Sequence, residues 1–243
     1  MKKVACITGA SRGIGEAIAK IYAKKGYDTI IISHASKEDL SEVRMEIERT
    51  YSVKCKDFCA DISLEEDVDM IFDWIEEHYK KLDVLVNNAA ISYIGLLQDM
   101  DYKDWKKIVD TNLSSLFLTC KRAIPLMLKE KEGSILNISS VWGSVGASCE
   151  VAYSATKGGV NAFTKALAKE LAPSHIGVNA LACGAIETSM NAFLSREEKS
   201  ALIEEIPWGR MGSVEEVAEN AYFIASKAAY MTGQVIIMDG AWI

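Results

Sequence analysis

Two side chains in this sequence stand at a spacing that can do chemistry. Tyr153 and Lys157 lie four residues apart at the start of a strong helical pattern, which puts both on one helix face. An ammonium beside a phenol favours the phenolate and lowers the tyrosine pKa. A tyrosine tuned in this way gives a proton to a carbonyl oxygen or takes one from an alcohol. Tyr-x-x-x-Lys alone is also the pattern of an ordinary surface pair. Ser139 and Ser140 add to it, because they close an apolar strand-like run, and the carboxyl edge of an open sheet is where such folds form a ligand crevice. Ser140 there either hydrogen-bonds a reacting oxygen or serves as a turn serine. The histidines, His34, His78 and His175, fall away from these segments, and no Gly-x-Ser-x-Gly elbow occurs, so a Ser–His hydrolase lacks its base.

A second constellation lies near the start. Thr8-Gly9-Ala10-Ser11-Arg12-Gly13-Ile14-Gly15 joins a first apolar strand to a helix. Glycines permit a tight turn and close backbone approach to a phosphate, and the helix N-terminus supplies free N–H groups and a positive dipole end. The spacing is Gly-x-x-x-Gly-x-Gly rather than the usual Gly-x-Gly-x-x-Gly, and a glycine-rich turn without a ligand is the plainer reading. At the end of the second strand, Ile32-Ser33-His34-Ala35-Ser36-Lys37 holds no carboxylate. NAD binders usually place an acid there for the ribose 2′-hydroxyl. Its absence favours NADP(H) over NAD(H), with Arg12 reaching the 2′-phosphate and Ser33, His34 and Ser36 donating to it. The alternatives are a solvated loop arginine and an exposed loop histidine.

These residues need a scaffold of alternating strands and helices. Apolar strand runs are predicted over 4–8, 29–33, 53–60, 82–87, 134–139, 176–181 and 235–238. Helical periodicity fills 13–25, 37–50, 64–79, 110–129, 153–171, 189–205 and 213–226. That alternation predicts a doubly wound, Rossmann-like α/β fold: a mostly parallel sheet of about seven strands with helices on both faces. At 243 residues the chain suits one domain over 1–243.

The totals exclude several functions. A formal charge of −7 disfavours nucleic acid and anionic membranes. No apolar stretch approaches the ~20 residues of a membrane helix, and the start is not a secretory signal. The expected location is the cytoplasm. The six cysteines, Cys6, Cys55, Cys59, Cys120, Cys149 and Cys183, form no Cys-x-x-Cys pair and no zinc spacing with histidine. Reduced thiols and no metal are expected.

Taken together, the motifs resemble the short-chain dehydrogenase/reductase family over essentially the whole length. The resemblance rests on the Thr8–Gly15 loop, Asp61-Ile62, Asn87-Asn88-Ala89-Ala90, Asn112, Ser140 and Tyr153-x-x-x-Lys157, with the serine 13 residues before the tyrosine. It implies Tyr153 as acid/base, Lys157 on the nicotinamide ribose, Ser140 on the substrate carbonyl and Asn112 holding a relay water behind Lys157. It implies cofactor contacts from Gly9, Ser11, Arg12, Gly13, Ile14, Gly15, Ser33 and His34. Asp61 and Ile62 would meet adenine, Asn88 the adenosine ribose, and Ala90, Gly184, Ile186 and Thr188 the rest of the dinucleotide. Two residues depart from the family pattern: Ala90 replaces a glycine, and Cys183 replaces the proline of a Pro-Gly pair. Neither removes a catalytic group.

The general look is similar to bacterial 3-oxoacyl-[acyl-carrier-protein] reductases. Ser139–Gly143, Gly146–Val151 and Gly240-Ala241-Trp242 are similar to a sister group that reduces a 5-aminopentanone modification on a lysine of elongation factor P. This implies a keto substrate presented by acyl carrier protein or elongation factor P. Trp142, Cys149 and Glu150 would line the substrate mouth, with the Glu150 carboxylate facing a cationic amine. The alternative for Glu150 is a solvated acid at a helix N-terminus, where the dipole favours it. Free small ketones, alcohols or sterols are the alternative substrates, and a non-enzymatic NADP-binding regulator is a further one. Small and apolar residues such as Ala162, Phe163, Ala166 and Leu167 on several faces of the 153–171 helix ask for a second partner. The resemblance implies a homotetramer.

Overall fold

Val4–Thr8 (β1) is buried along its whole length, and its alternation explains why. Ala5 and Ile7 enter one apolar core, while Val4 and Cys6 enter another on the opposite face. Asp28–Ser33 (β2) repeats the arrangement, with Ile31 on the first side and Ile30 and Ile32 on the second. Strands apolar on both faces need cover on both.

The computed structural model describes residues 2–34, 37–189 and 194–243. The cover on the first face is Gly13–Lys24 (α1), Lys37–Tyr51 (α2) and, late in the chain, Val214–Ser226 (α9). The second face carries Glu65–Tyr79 (α3), Ser115–Leu128 (α5) and Val151–Leu171 (α7). The remaining strands are Cys55–Cys59 (β3), Val84–Asn87 (β4), Gly133–Ser140 (β5), Ile176–Cys183 (β6) and Val235–Met238 (β7). Shorter helices are Tyr102–Val109 (α4), Trp142–Val145 (α6) and Arg196–Glu205 (α8).

The sheet has seven strands in the order β3-β2-β1-β4-β5-β6-β7, and every neighbouring pair is parallel. The chain winds outward from β1 to β3, then returns to lay β4 on the other side of β1. At that reversal the loops leaving β1 and β4 diverge and open a crevice at the carboxyl edge. This is the expected doubly wound architecture. A buried polar chain fixes the second layer of helices: Thr119 Oγ1 donates to Asn87 Oδ1 at 2.8 Å, Asn87 Nδ2 to Asn137 Oδ1 at 3.0 Å, and Asn137 Nδ2 to Thr164 Oγ1 at 2.9 Å.

Three boundaries differ from the sequence reading in ways that matter for the site. The helix expected over 110–129 begins earlier, at Tyr102, and a π-helical turn, Asp110–Ser114, separates α4 from α5. The cause is Asn112, whose Oδ1 accepts from Ile91 N and whose Nδ2 donates to Ile91 O, both at 2.8 Å. The helix turn just before α7, α6, is too short to leave a periodic signal. Of the helix expected over 189–205, residues 190–193 lie outside the described residues. The rest starts at Arg196 behind a capping box formed by Ser195 and Glu198, which satisfies two N-terminal donors reciprocally.

Candidate active site

The turn after β1 is built so that backbone, not side chains, fills the crevice. Gly9 has φ +67°, and a Cβ there would lie 2.8 Å from Ala89 Cα. Gly15 in the first turn of α1 is tighter still, since its Cβ would fall 2.1 Å from Gly9 O. Asn88 Nδ2 holds the turn by donating to Thr8 O at 2.9 Å and Gly9 O at 3.1 Å. Thr8 Oγ1 accepts from Asn88 N and Ala89 N at 2.9 and 3.0 Å. The turn thus bares the N-terminus of α1, whose free N–H groups suit a phosphate. A dinucleotide fits this cradle. Arg12 precedes α1 in extended conformation, is exposed, and makes no ion pair among the described residues.

The tips of β2 and β3 correct one expectation in detail. Ser33 is 6% exposed and its hydroxyl donates to Ser11 Oγ at 2.9 Å, so both serines brace the wall of the cradle. The residue open to solvent at the tip is His34, and Ser36 lies outside the described residues. Asp61 Oδ1 accepts from Ser63 N at 2.9 Å and Ser63 Oγ at 2.7 Å. Burial raises its pKa, but the Ser63 bonds outweigh this, helped by nearby His34 and Lys107, and the carboxyl stays below its usual range. Ile62 is buried in the core on the α3 side, so any contact it makes to a base is through its backbone.

The catalytic candidates converge from β5, the π-turn and α7. Ser140 ends β5, 7% exposed, and its Oγ accepts from Trp142 N at 3.2 Å. Its own proton can still be donated, and the hydroxyl lies close enough to Tyr153 to lower the phenol's pKa slightly. Lys157 is 3% exposed; its Nζ donates to Ile138 O at 2.7 Å and stands 5.5 Å from the Tyr153 ring centre. Asn112, 1% exposed, donates to Thr156 Oγ1 at 3.3 Å, and Thr156 in turn donates to Tyr153 O at 2.8 Å. Its two amide protons go to Ile91 O and Thr156 Oγ1, so a water at this point would meet Oδ1 or backbone groups. Gly143 lets α6 close on α7, since a Cβ there would lie 2.7 Å from Lys157 C.

Desolvation dominates the electrostatics of this pair. Lys157 was expected to lower the Tyr153 pKa. Tyr153 is instead raised well above its ordinary value, first by desolvation and then by the Glu150 carboxylate, with the nearby Ser140 hydroxyl pulling weakly downward. Burial also pulls Lys157 down, to about 8, so the ammonium form still predominates at neutral pH. Removing both groups from water costs their charged forms more than the pair regains. Cys183 lies beside them, its thiol pushed up to about 12 by burial, and is neutral in the working range. The phenol is protonated at neutral pH and can donate a proton, although the raised pKa makes it a weaker acid than an ordinary tyrosine.

Around this centre, Cys149 has φ +62° and accepts from Gly95 N at 2.9 Å through its carbonyl. Glu150 follows as the residue before α7. Desolvation raises its pKa, and the Ser92 hydroxyl lies near enough to oppose that rise without meeting hydrogen-bond geometry. The loop after β6 closes the other side. Gly184 N donates to Met238 O at 2.9 Å, Ile186 pairs with Gly212 in an isolated parallel bridge, and Thr188 lies across from Gly13, 3.7 Å from where its Cβ would be. Ala90 follows the Asn88 brace at the end of β4. The sequence reading named Thr8 and Trp242 only as motif residues, without these contacts, and did not name Ser92. Their contacts span from 37 to 100 residues and leave no local spacing to read. All six cysteines are free thiols. Among the described residues no cluster of three or more His, Cys, Asp or Glu could hold a metal, and no helix is long and apolar enough to cross a membrane.

A glycine cradle at a sheet reversal, beside a serine, a tyrosine and a buried lysine, defines a nucleotide-dependent oxidoreductase. Sequence comparison agrees. A family model described as short chain dehydrogenase matches residues 3–199. The uncharacterized oxidoreductase YmfI of Bacillus subtilis is 36% identical over 243 residues, covering 100% of this chain and 99% of its own. The 3-oxoacyl-[acyl-carrier-protein] reductase FabG of Aquifex aeolicus is 44% identical over 239 residues, covering 98% and 96%. The Staphylococcus aureus (strain Mu50) protein of the same name is 39% identical over 241 residues, covering 99% and 98%. The chain belongs to the short-chain dehydrogenase/reductase family and is an oxidoreductase; membership implies a nicotinamide cofactor.

Proposed function

We propose that this chain, as one domain over 1–243, is a cytoplasmic NADPH-dependent ketoreductase that converts a carrier- or protein-bound ketone to a secondary alcohol. The observation that carries this is the Ser140–Tyr153–Lys157 group: a serine hydroxyl beside the phenol, a tyrosine protonated at neutral pH and a lysine seated between β5 and α7. A nicotinamide cofactor held by the Gly9–Gly15 turn and Lys157 would supply the hydride for the carbonyl carbon. Ser140 donates a hydrogen bond to the carbonyl oxygen, and the Tyr153 hydroxyl delivers the proton that the developing alkoxide needs. Lys157 orients the ribose and carries positive charge behind the phenol, and the Asn112 turn holds the proton path behind it. The absence of an acid at the exposed β2 tip and the unpaired Arg12 favour the 2′-phosphate of NADPH.

Two substrate classes follow from the relatives and the mouth. The relatives named 3-oxoacyl-[acyl-carrier-protein] reductase support a thioester-bound ketone on acyl carrier protein. Glu150, desolvated and within electrostatic reach of Tyr153, favours the other: a keto group beside a cationic amine, as in the 5-aminopentanone-modified lysine of elongation factor P. Cys149 and Trp142 complete that mouth. Half-exposed Phe117 on α5, exposed Ala162 and Ala166 on α7, and Phe223 and Ile237 near the last strand support a homotetramer built through these faces. The test is NADPH oxidation against a panel of acetoacetyl thioesters, free ketones and elongation factor P bearing the pentanone. Turnover of the bound ketones over the free ones supports the reading, and preference for a free ketone or sterol overturns it.

A further inference from the structure

The five residues after β7 form a turn that touches three separate parts of the site. Asp239 shapes it: Oδ1 accepts from Ala241 N at 2.9 Å and Oδ2 from Ile243 N at 3.0 Å. Gly240 and Ala241 both have positive φ, +70° and +65°, which turns the chain back on itself. Gly240 O accepts from Trp208 N at 3.2 Å, and a Cβ at Gly240 would press within 2.9 Å of Trp208 Cβ. On its other flank, a Cβ at Gly184 would lie 2.7 Å from Asp239 Cβ, so the turn also backs the loop after β6.

The turn delivers Trp242. Its indole meets the Trp142 ring edge-on, with centroids 4.9 Å apart and planes at 61°, a favourable geometry for aromatic pairs. Its Nε1 donates to Glu205 Oε2 at 3.4 Å, and Glu205 is the last residue of α8. Trp142 N is the donor to Ser140 Oγ. The far part of α8 is fastened separately, by Lys199 Nζ to Glu187 Oε1 at 2.8 Å, on the loop that carries Thr188. Trp242 therefore connects α8 to the residue that sets the Ser140 hydroxyl.

We propose that Trp242 is a positioning residue for the reductase reaction: it clamps α8 against Trp142, so that the substrate cleft beside Ser140 has a defined wall. The proposal rests on the ketoreductase reading for its kinetic arm. Removing the indole frees α8 at one end and loosens Trp142 without touching the glycine cradle, so substrate affinity falls while cofactor affinity stays.

The test compares Trp242→Ala, Trp242→Phe and Trp142→Phe in the full chain. Trp242→Ala is expected to raise KM for the keto substrate about tenfold (~1.4 kcal/mol), to change kcat little and to leave NADPH affinity by fluorescence titration unaltered. Trp242→Phe, which keeps an aromatic edge on Trp142 but loses the Nε1 bond to Glu205, recovers only part of the loss. Two readouts need no substrate. The circular-dichroism couplet of two indoles in contact disappears in all three variants, and the α8 amides exchange faster in Trp242→Ala. Unchanged couplet and exchange overturn the clamp itself. An altered couplet and exchange with unchanged KM show a contact that does not position substrate, and overturn the role. If the unmodified protein turns over no ketone, the ketoreductase reading fails, while couplet and exchange still decide whether the clamp exists.

Discussion

Lys157 Nζ donates to the carbonyl oxygen of Ile138 at 2.7 Å in a site from which water is almost wholly excluded. Burial lowers its pKa from the ordinary 10.5 to about 8. Between those values the unfolded chain binds more protons than the fold, so this lysine makes stability rise with pH across that window. Below about 8 both states are protonated and the fold carries the full cost, roughly 3 kcal/mol at ~1.36 kcal/mol per unit. Lys157→Met removes that cost but leaves the Ile138 carbonyl without its donor, an offset of about 1 kcal/mol. The variant is expected to be inactive yet to melt higher at neutral pH, with a flatter rise toward pH 10 in pH-dependent thermal melts. A lower melting temperature contradicts this account of Lys157.

Desolvation raises the Tyr153 pKa most, and the Glu150 carboxylate adds to that rise. Reduction needs the phenol protonated, so activity falls as pH rises through its pKa. Glu150→Gln removes the charge, and the alkaline limb of the kcat profile is expected to move to lower pH. With a cationic keto substrate, KM should also rise about tenfold (~1.4 kcal/mol), and with a neutral one it should not. An unmoved alkaline limb contradicts the coupling. Equal KM changes for both substrates contradict the amine contact.

His34, rather than Ser33, is the place to test cofactor choice, because Ser33 is buried against Ser11. A carboxylate at the exposed tip repels a 2′-phosphate and accepts from a ribose hydroxyl. His34→Asp is expected to weaken NADPH binding about tenfold or more, within the ~1.5–3 kcal/mol of a charge-assisted hydrogen bond, and to improve NADH use. Better NADH than NADPH turnover in the unmodified protein removes the basis for the preference.

Assembly is read from mass. Light scattering at micromolar concentration is expected to give a tetramer, because Phe117, Phe223 and Ile237 remain about half exposed in the single chain. A monomeric mass contradicts it.

The strands and the glycine turn were legible because buried parallel strands are apolar on both faces and glycines punctuate the turn. Tyr153, Lys157 and Ser140 were legible for a different reason: helical spacing and a strand end place them without tertiary knowledge. What escaped the sequence were matters of sign and reach. Whether Lys157 or desolvation governs Tyr153 depends on burial, which spacing does not encode. Ser33 and His34 are neighbours, and only the pleat decides which faces solvent. The π-turn at Asn112 depends on its bonds to Ile91, and the Trp142–Trp242 contact joins positions 100 residues apart.

The most direct measurement is NADPH oxidation by Tyr153→Phe on the protein's own keto substrate, paired with a fluorescence titration of the cofactor. The change removes only the hydroxyl. Cofactor affinity should be kept, and turnover should fall by roughly a hundred- to ten-thousand-fold, the usual contribution of a positioned acid. Reduction at the unmodified rate would mean that Tyr153 is not the proton donor, and the proposed chemistry would be wrong.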